Sequence, residues 1–182
     1  TVRHIKSIIK PAFQMAVDDD LIRKNPFDFT LATVIKDDTE NHREGVTEAQ
    51  RDDFLRFVYA DRRFSKYYDA VYILFNTGLR ISEFAGLTDS DIDFENGRIV
   101  VDHQLRKIYR NGIPVYTATS TKTSSGVRYI PMTLEVGECF RRIISKRKKP
   151  ENEPVIDGMH GFLFLDEKGM PVIANHWEGY FN

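Results

Sequence analysis

Arg80 is the residue whose type and position are best suited to holding a phosphate group. It lies in the string TGLRISE at residues 77–83, where Gly78 is predicted to end one helix shortly before the next begins. Its planar guanidinium can bind two phosphate oxygens at once, and the first amides of the next helix also favour an anion. Glu83 shares a helix face with Arg80 and can fix its side chain. A second interpretation stays open, in which the two residues form only a local salt bridge.

The chain has no Asp or Glu between His103 and Leu134. This window combines many hydroxyl side chains with basic residues, namely Arg106, Lys107, Arg110, Lys122 and Arg128. Such side chains on a β-hairpin suit contacts with the phosphates of a nucleic acid. The pattern predicts a local basic face, although the net charge of the chain is −1. For Arg128 an ordinary surface ion pair remains the alternative to a contact with DNA.

Charges elsewhere are distributed differently. A second basic run at 141–149 is interpreted as a solvated helix end, and acidic residues collect at 18–53 and 89–95. A chain with a neutral total can therefore still meet a polyanion through one face.

Composition limits the class of protein. The chain has 182 residues, of which 41% are hydrophobic and 29% charged, a balance typical of one sizeable globular domain with an appended piece of another. The single cysteine, Cys139, cannot form an internal disulfide, which favours a reducing, cytoplasmic setting. No cluster of Cys and His has zinc-binding spacing, so no metal or cofactor is expected. The longest apolar run, 70–75, is too short to cross a membrane, and no membrane partner is expected.

The first part of the chain predicts the end of one domain and a linker. Apolar residues recur at three- and four-residue spacing over 2–17, which predicts an amphipathic helix with Pro11 as a kink or boundary. Asn25-Pro26 marks a turn. The polar stretch 30–46 is interpreted as a linker, so the predicted division is 1–29, 30–46 and 47–182.

The larger segment predicts helices followed by a small sheet. Thr47 and Gln50 have the spacing of a capping box, and Asn96-Gly97 is a hairpin signal. Two more strands are expected on either side of 124–126. The predicted helices lie near 47–60, 66–76, 82–86, 134–148 and 174–181, and the predicted strands lie within 93–101 and at 116–120, 127–131 and 162–165. The order gives an α+β fold that is mostly helical.

Three strings of residues resemble motifs of one known family, and they occur along the chain in the order that the family has. TGLRISE resembles the first active-site box, T-G-x-R-x-x-E, of the tyrosine recombinases or phage-type integrases. TSTKTSSGVRYIPM at 119–132 resembles the β-hairpin that carries their catalytic lysine, and LIRKNPF at 21–27 resembles the last helix of their core-binding domain. The string PVIANHWEGYFN at 171–182 is similar to integrases of Gram-positive conjugative transposons.

The resemblance implies a fold, a reaction and a set of residues. The fold is the catalytic domain of that family, with helices and a small three-stranded antiparallel sheet. The reaction is DNA cleavage and rejoining through a 3′-phosphotyrosyl intermediate, without a metal. Arg80 and Lys122 would be catalytic, and Glu83 would hold Arg80; a plain phosphate contact stays open for Lys122. The DNA-contacting residues implied are Arg106, Lys107, Arg110, Thr121, Thr123 and Arg128.

Parts of the family's active site are not found in the 182 residues. No His/Lys-x-x-Arg string follows the hairpin in residues 133–182, so that box and the nucleophilic tyrosine are expected beyond Asn182. Tyr180 and Trp177 are interpreted as packing residues of the last helix. We therefore expect residues 1–182 to be inactive alone and monomeric. The intact protein is expected to act as a homotetramer on double-stranded DNA, with an accessory protein for excision as a further partner.

Two other classes of function compete with the enzyme. One is a non-catalytic DNA-binding or regulatory module with a recombinase-like shell, and the other is a helical protein-interaction domain. An open, basic concavity that holds Arg80 and Lys122 would favour the enzyme. An Arg80 buried beneath Glu83 would favour the interaction domain.

Overall fold

The N-terminal part of the chain forms a small compact unit. The computed structural model describes residues 2–31, 44–120 and 127–180, and its residues divide into the units 1–45 and 46–182. In the first unit, helix α1 (Val2–Asp18) continues through Pro11, so the proline is not the boundary that it could have been. Asn25 is buried, donates to the Lys10 carbonyl and accepts from the Phe27 amide, which fastens the predicted turn onto α1.

The predicted linker cannot be compared with the fold along most of its length. Residues 32–43 lie outside the described residues. The domain division at 29 and 46 stays a prediction.

Three helices open the second unit close to where the sequence predicts them. Helix α2 (Glu48–Ala60) begins with the predicted capping box, in which Thr47 and Gln50 each accept from the other's backbone amide. A short 3₁₀ turn (Ser65–Tyr67) leads into α3 (Tyr68–Thr77). Gly78 ends α3 with a φ of 63°, in the left-handed region that glycine tolerates best. Three residues, 78–80, separate α3 from helix α4 (Ile81–Gly86).

A three-stranded antiparallel sheet comes next. Its strands are β1 (Ile92–Asp93), β2 (Arg98–Val101) and β5 (Arg128–Pro131), with β2 in the centre. The Asn-Gly signal for the hairpin β1–β2 is confirmed. The small three-stranded sheet was predicted, but one of its strands was assigned wrongly.

The strand that was assigned wrongly belongs to a separate two-stranded hairpin. Within the part of the chain that the structure describes, strands β3 (His103–Arg110) and β4 (Ile113–Ser120) pair only with each other. The predicted strand 116–120 therefore belongs to β4, and it is not the partner of the predicted strand 127–131, which pairs with β2. The cause is the turn Asn111-Gly112, whose φ angles of 51° and 79° are those of a two-residue hairpin. This Asn-Gly signal is present in the sequence. The turn assumed at 124–126 lies outside the described residues.

The rest of the second unit returns to helix. Helix α5 (Leu134–Lys146) begins at the N-cap Thr133, and α6 (Ala174–Tyr180) is the last described helix. The strand predicted at 162–165 was wrong. That segment forms only isolated bridges, from Phe162 to Thr88 and from Leu165 to Pro171, because its inward-facing side chains fill the core without a neighbouring strand.

The core of the second unit joins α3, α4, α5, α6 and β2. Its fully buried side chains include Ile73, Phe84, Ile99 and Phe140. Trp177 packs edge-on against Phe84, which confirms it as a packing residue. Cys139 is also buried in this core, and burial raises the pKa of its thiol to about 12, so it is not a reactive thiolate at neutral pH. None of the described helices is long and apolar enough to cross a membrane.

Candidate active site

Arg80 stands at the corner between α3 and α4 with its side chain in solvent. Its backbone is extended, with φ −68° and ψ 144°, so the residue caps α4 without entering it. The side chain is 75% exposed. Arg80 is therefore not buried beneath Glu83, which argues against the helical interaction domain.

Glu83 fixes Arg80 at two points. One carboxylate oxygen, Oε1, accepts from Arg80 Nη1 at 2.9 Å, and the other, Oε2, accepts from the Arg80 backbone amide at 2.9 Å. The Glu83 side chain is only 5% exposed. The predicted pairing of Arg80 with Glu83 is confirmed, and it leaves the guanidinium open to solvent. Arg80 can therefore form the salt bridge and still bind a phosphate group.

Arg128 is a second partner of the same carboxylate. From β5 it donates Nη1 to Glu83 Oε1 at 3.0 Å and Nη2 to Glu83 Oε2 at 2.7 Å. This bidentate pair ties β5 to α4 across 45 residues of sequence. Arg128 thus forms an ion pair, the alternative left open for it, and its contact with DNA stays a prediction.

The charge of Glu83 is strongly stabilised. Burial alone would raise the pKa of its carboxyl, but the hydrogen bonds from Arg128 and Arg80 outweigh burial and lower the pKa to about 2. The cluster therefore holds one carboxylate and two guanidinium groups at neutral pH, a net positive charge. Of the guanidinium nitrogens of Arg80, Nη1 alone donates to a described residue. The other guanidinium nitrogens can donate to an anion.

Lys122 cannot be placed beside this cluster directly. Lys122, Thr121 and Thr123 lie outside the described residues. Their segment joins β4, which ends at Ser120, to β5, which begins at Arg128. Arg128, the first residue of β5, contacts Glu83, the partner of Arg80.

The hairpin β3–β4 carries the other predicted DNA contacts. Arg106 donates to Gln104 Oε1 at 2.9 Å, and the same oxygen lies 3.3 Å from the hydroxyl of Ser82 in α4. The Lys107 ammonium lies 5.5 Å from the centroid of the Tyr116 ring. Arg110 is exposed at the end of β3, next to the hairpin turn.

A groove of about 530 Å³ separates the hairpin from two helix starts. Its walls are residues 81–82 of α4, residues 105–109 of β3, and residues 173–176 at the start of α6. Arg106 and Lys107 therefore border the same groove as the first turn of the helix that Arg80 caps.

Two residues of this groove were missed by sequence reasoning. Asn175 and His176 line it beside Arg106 and Lys107. Nothing in their local pattern indicates this, because α6 meets β3 only through the tertiary fold. The role of Arg128 as a brace for Glu83 was missed for the same reason.

Comparison with known proteins gives a consistent result. The profile of the phage integrase family matches residues 44–182. The transposase from transposon Tn916 of Enterococcus faecalis is 43% identical over 179 residues, which cover 98% of this chain and 43% of that protein. A tyrosine recombinase XerC-like protein of Caldanaerobacter subterraneus is 24% identical, with 97% of this chain and 47% of that protein covered. The chain thus spans less than half the length of these curated relatives.

Solved structures extend the likeness to the fold. The integrase of transposon Tn1549 in complex with a circular intermediate DNA has a TM-score of 0.87 and 47% identity. The match covers 99% of this chain and 55% of that one. The XerA recombinase, at 17% identity and a TM-score of 0.52, shares the fold over 80% of this chain.

Proposed function

Because this chain belongs to the phage integrase family, we propose that it is part of an enzyme that recombines DNA at specific sites during integration and excision of a mobile element. Its fold is that of a tyrosine recombinase catalytic domain. The observation that carries the proposal is the exposed guanidinium of Arg80, which Glu83 holds at the corner of α4.

Double-stranded DNA is the proposed substrate. The Tn1549 integrase, similar over nearly all of this chain, was solved with a circular intermediate DNA and with transposon right end DNA. The basic side chains of Arg106, Lys107 and Arg110 on β3 offer contacts to the phosphate backbone. Thr121, Lys122 and Thr123 are proposed to add further contacts from the segment that follows β4.

The proposed reaction transfers a phosphate between two oxygens. A tyrosine hydroxyl, supplied from outside residues 1–182, passes its proton to solvent, and its oxygen forms a bond to phosphorus while the bond to the 5′ oxygen breaks. Lys122 gives its proton to the leaving 5′ oxygen. Rejoining reverses the steps, with a 5′ hydroxyl attacking the phosphotyrosine and Lys122 taking the proton back.

Arg80 is proposed to bind the non-bridging oxygens, where negative charge grows in the transition state. Preorganised donors act best when they need not rearrange as the reaction occurs. Glu83 supplies that preorganisation, since it holds both the backbone and the side chain of Arg80. Arg128 keeps Glu83 ionised and in place, so the bound phosphate meets a net positive cluster.

The whole protein is proposed to act as a homotetramer on its attachment sites, with an accessory protein that favours excision. No His/Lys-x-x-Arg string follows the predicted lysine hairpin in residues 133–182, and the nucleophilic tyrosine is proposed to lie outside residues 1–182. We therefore expect residues 1–182 to bind DNA but to leave it uncut.

Trapping of covalent intermediates on nicked suicide DNA tests this proposal. The full-length protein should form a covalent protein–DNA adduct, and residues 1–182 should form none. Full-length protein that binds attachment-site DNA without forming an adduct would favour the non-catalytic DNA-binding module instead. An adduct with residues 1–182 would refute the assignment of the nucleophile.

A further inference from the structure

His103 is a buried histidine that lies between the last turn of α4 and two carboxylates. It opens β3, and its side chain is 4% exposed. Its Nδ1 lies 2.5 Å from Asp102 Oδ1, and its Nε2 lies 2.7 Å from the carbonyl oxygen of Gly86, the last residue of α4.

Both neighbours of the ring are acceptors only. An ionised carboxylate and a backbone carbonyl have no hydrogen to give, so each ring nitrogen must donate one. Neutral imidazole has a single N–H, and its bare nitrogen would face an oxygen lone pair at hydrogen-bonding distance. We propose that His103 is held as the doubly protonated imidazolium and acts as a positioning residue that fastens the end of α4, the helix that Arg80 caps, to β3.

The surrounding charges agree with a cationic ring. Besides Asp102, the carboxylate of Asp91 lies 3.9 Å from Nε2, and the residue paired with His103 on β4 is the neutral Ser120. Burial alone would lower the pKa of His103. The hydrogen bonds to Asp102 and Gly86, together with the charges of Asp91 and Asp102, outweigh burial and raise the pKa.

A metal site is the alternative interpretation of Asp91, Asp102 and His103, since their possible ligand atoms lie within 4.8 Å of one another. Four of their possible ligand atoms, two on His103 and one on each aspartate, already make hydrogen bonds. Both nitrogens of His103 make hydrogen bonds, and Asp91 Oδ2 accepts from the backbone and the hydroxyl of Thr88, each at 2.7 Å. The arrangement is that of a hydrogen-bonded clamp.

The clamp matters because α4 has only six residues and needs support from outside. Glu83 and Arg128 hold its first turn to β5, while His103 holds its last turn to β3. Gly86 lets the two backbones touch, since a Cβ there would lie 3.0 Å from the Leu105 amide nitrogen. That this brace serves DNA cleavage rests on the proposed function, whereas the charge of His103 does not.

Deprotonation should release the clamp. The stabilisation is present below the ordinary histidine pKa of 6.5 and is lost as pH rises through the raised pKa of folded His103. Above that pH one ring nitrogen loses its hydrogen, and the link that the ring makes between Asp102 and the last turn of α4 is weakened.

Nitrogen NMR of the 182-residue chain tests the charge. His103, identified as the signal that disappears in H103N, should show two protonated ring nitrogens at pH 6.5. A His103 with one bare nitrogen at pH 6.5 would overturn the proposal.

Amide hydrogen exchange tests the positioning role. As His103 titrates, protection of α4 amides relative to α5 should fall about tenfold, and the Arg80 guanidinium resonance should move. H103N should show low α4 protection at every pH, whereas H160N should behave as wild type. Titration of His103 with unchanged α4 protection would overturn the role. If H103N does not fold, the wild-type titration alone decides.

Neither measurement uses DNA, so its outcome is separate from that of the proposed function. An enzyme that cleaves DNA with a neutral His103 would refute the clamp alone. If His103 is cationic and protects α4, but the full-length protein never cleaves DNA, only the proposed function is refuted.

Discussion

One buried carboxylate organises the candidate site at the level of residues. Glu83 accepts hydrogen bonds from both Arg80 and Arg128, and it remains ionised because its two partners outweigh the cost of burial. The sequence predicts the Arg80–Glu83 half of this arrangement, because three-residue spacing places both side chains on one helix face. It does not predict Arg128, which comes from a different strand. Long-range ion pairs leave no local pattern.

Replacing Glu83 with Gln should lower stability and flatten its dependence on acid pH. The carboxylate's contribution is present above its ordinary pKa of 4.5 and is lost as pH falls towards about 2. The expected loss in the free energy of unfolding near neutral pH is about 3 kcal/mol at most. Urea unfolding between pH 2 and 7 measures it. E138Q is the matched control, since that exposed carboxylate pairs with Arg141 at the surface. Equal losses in both variants would contradict the role of Glu83.

The two arginines should differ in what they stabilise. Arg128→Ala removes a bidentate pair to a buried carboxylate and should cost about 2 kcal/mol of unfolding free energy. Arg80→Ala removes a side chain that is 75% exposed and should cost less than about 1 kcal/mol. Thermal or urea unfolding of the two variants compares them directly. A larger loss for Arg80→Ala would mean that Arg80 is chiefly structural.

At the level of elements, signals that end or begin a helix predicted the fold best. The Thr47 capping box and Gly78 set the bounds of α2 and α3 within a residue or so. Strand pairing was harder to predict, because the partner of a strand depends on which turn connects the two strands. The turn at 111–112 fixes the hairpin β3–β4 and frees β5 to join β2. The segment 162–165 resembles a strand since most of its side chains are buried, yet no strand of the described residues lies beside it.

The hairpin β3–β4 is fastened to the rest of the second unit by Asp157. Its Oδ2 accepts from the Thr117 hydroxyl and from the Ala118 amide, each at 2.9 Å, so it satisfies an edge amide of β4. Asp157→Ala should therefore speed exchange of the Ala118 amide about tenfold.

Asp157→Asn is the matched control, because its amide oxygen can still accept. It should retain most of the protection. If exchange at Ala118 is the same in the alanine and asparagine variants, Asp157 does not hold the hairpin.

At the level of the whole molecule, the distribution of charge matters more than its sum. The net charge is −1, but the acid-free window from 103 to 134 concentrates basic side chains on one hairpin and its neighbours. Composition alone gives no sign of a nucleic-acid partner. The order of charges along the chain does, because it puts Arg106, Lys107 and Arg110 on one strand, β3.

DNA affinity of the 182-residue chain should fall steeply with salt. Each phosphate that a basic side chain neutralises contributes about 0.9 to the slope of log K against log salt. Replacing Arg106, Lys107 and Arg110 with Gln should lower that slope by about one for every phosphate left without its basic partner. The same change at Lys146, Lys148 and Lys149, exposed residues in and after the last turn of α5, should leave it nearly unchanged. Equal effects of the two triple variants would remove the hairpin from the interface.

The cleavage rate of the full-length protein with Arg80 replaced by Ala tests the central claim most directly. Single-turnover cleavage of suicide DNA should slow by about 100- to 1000-fold, since a preorganised donor to the reacting phosphate is removed. DNA affinity measured beside it should change only a few-fold, because the hairpin still binds the phosphate backbone. Cleavage at the wild-type rate would contradict the claim that Arg80 binds the phosphate under attack.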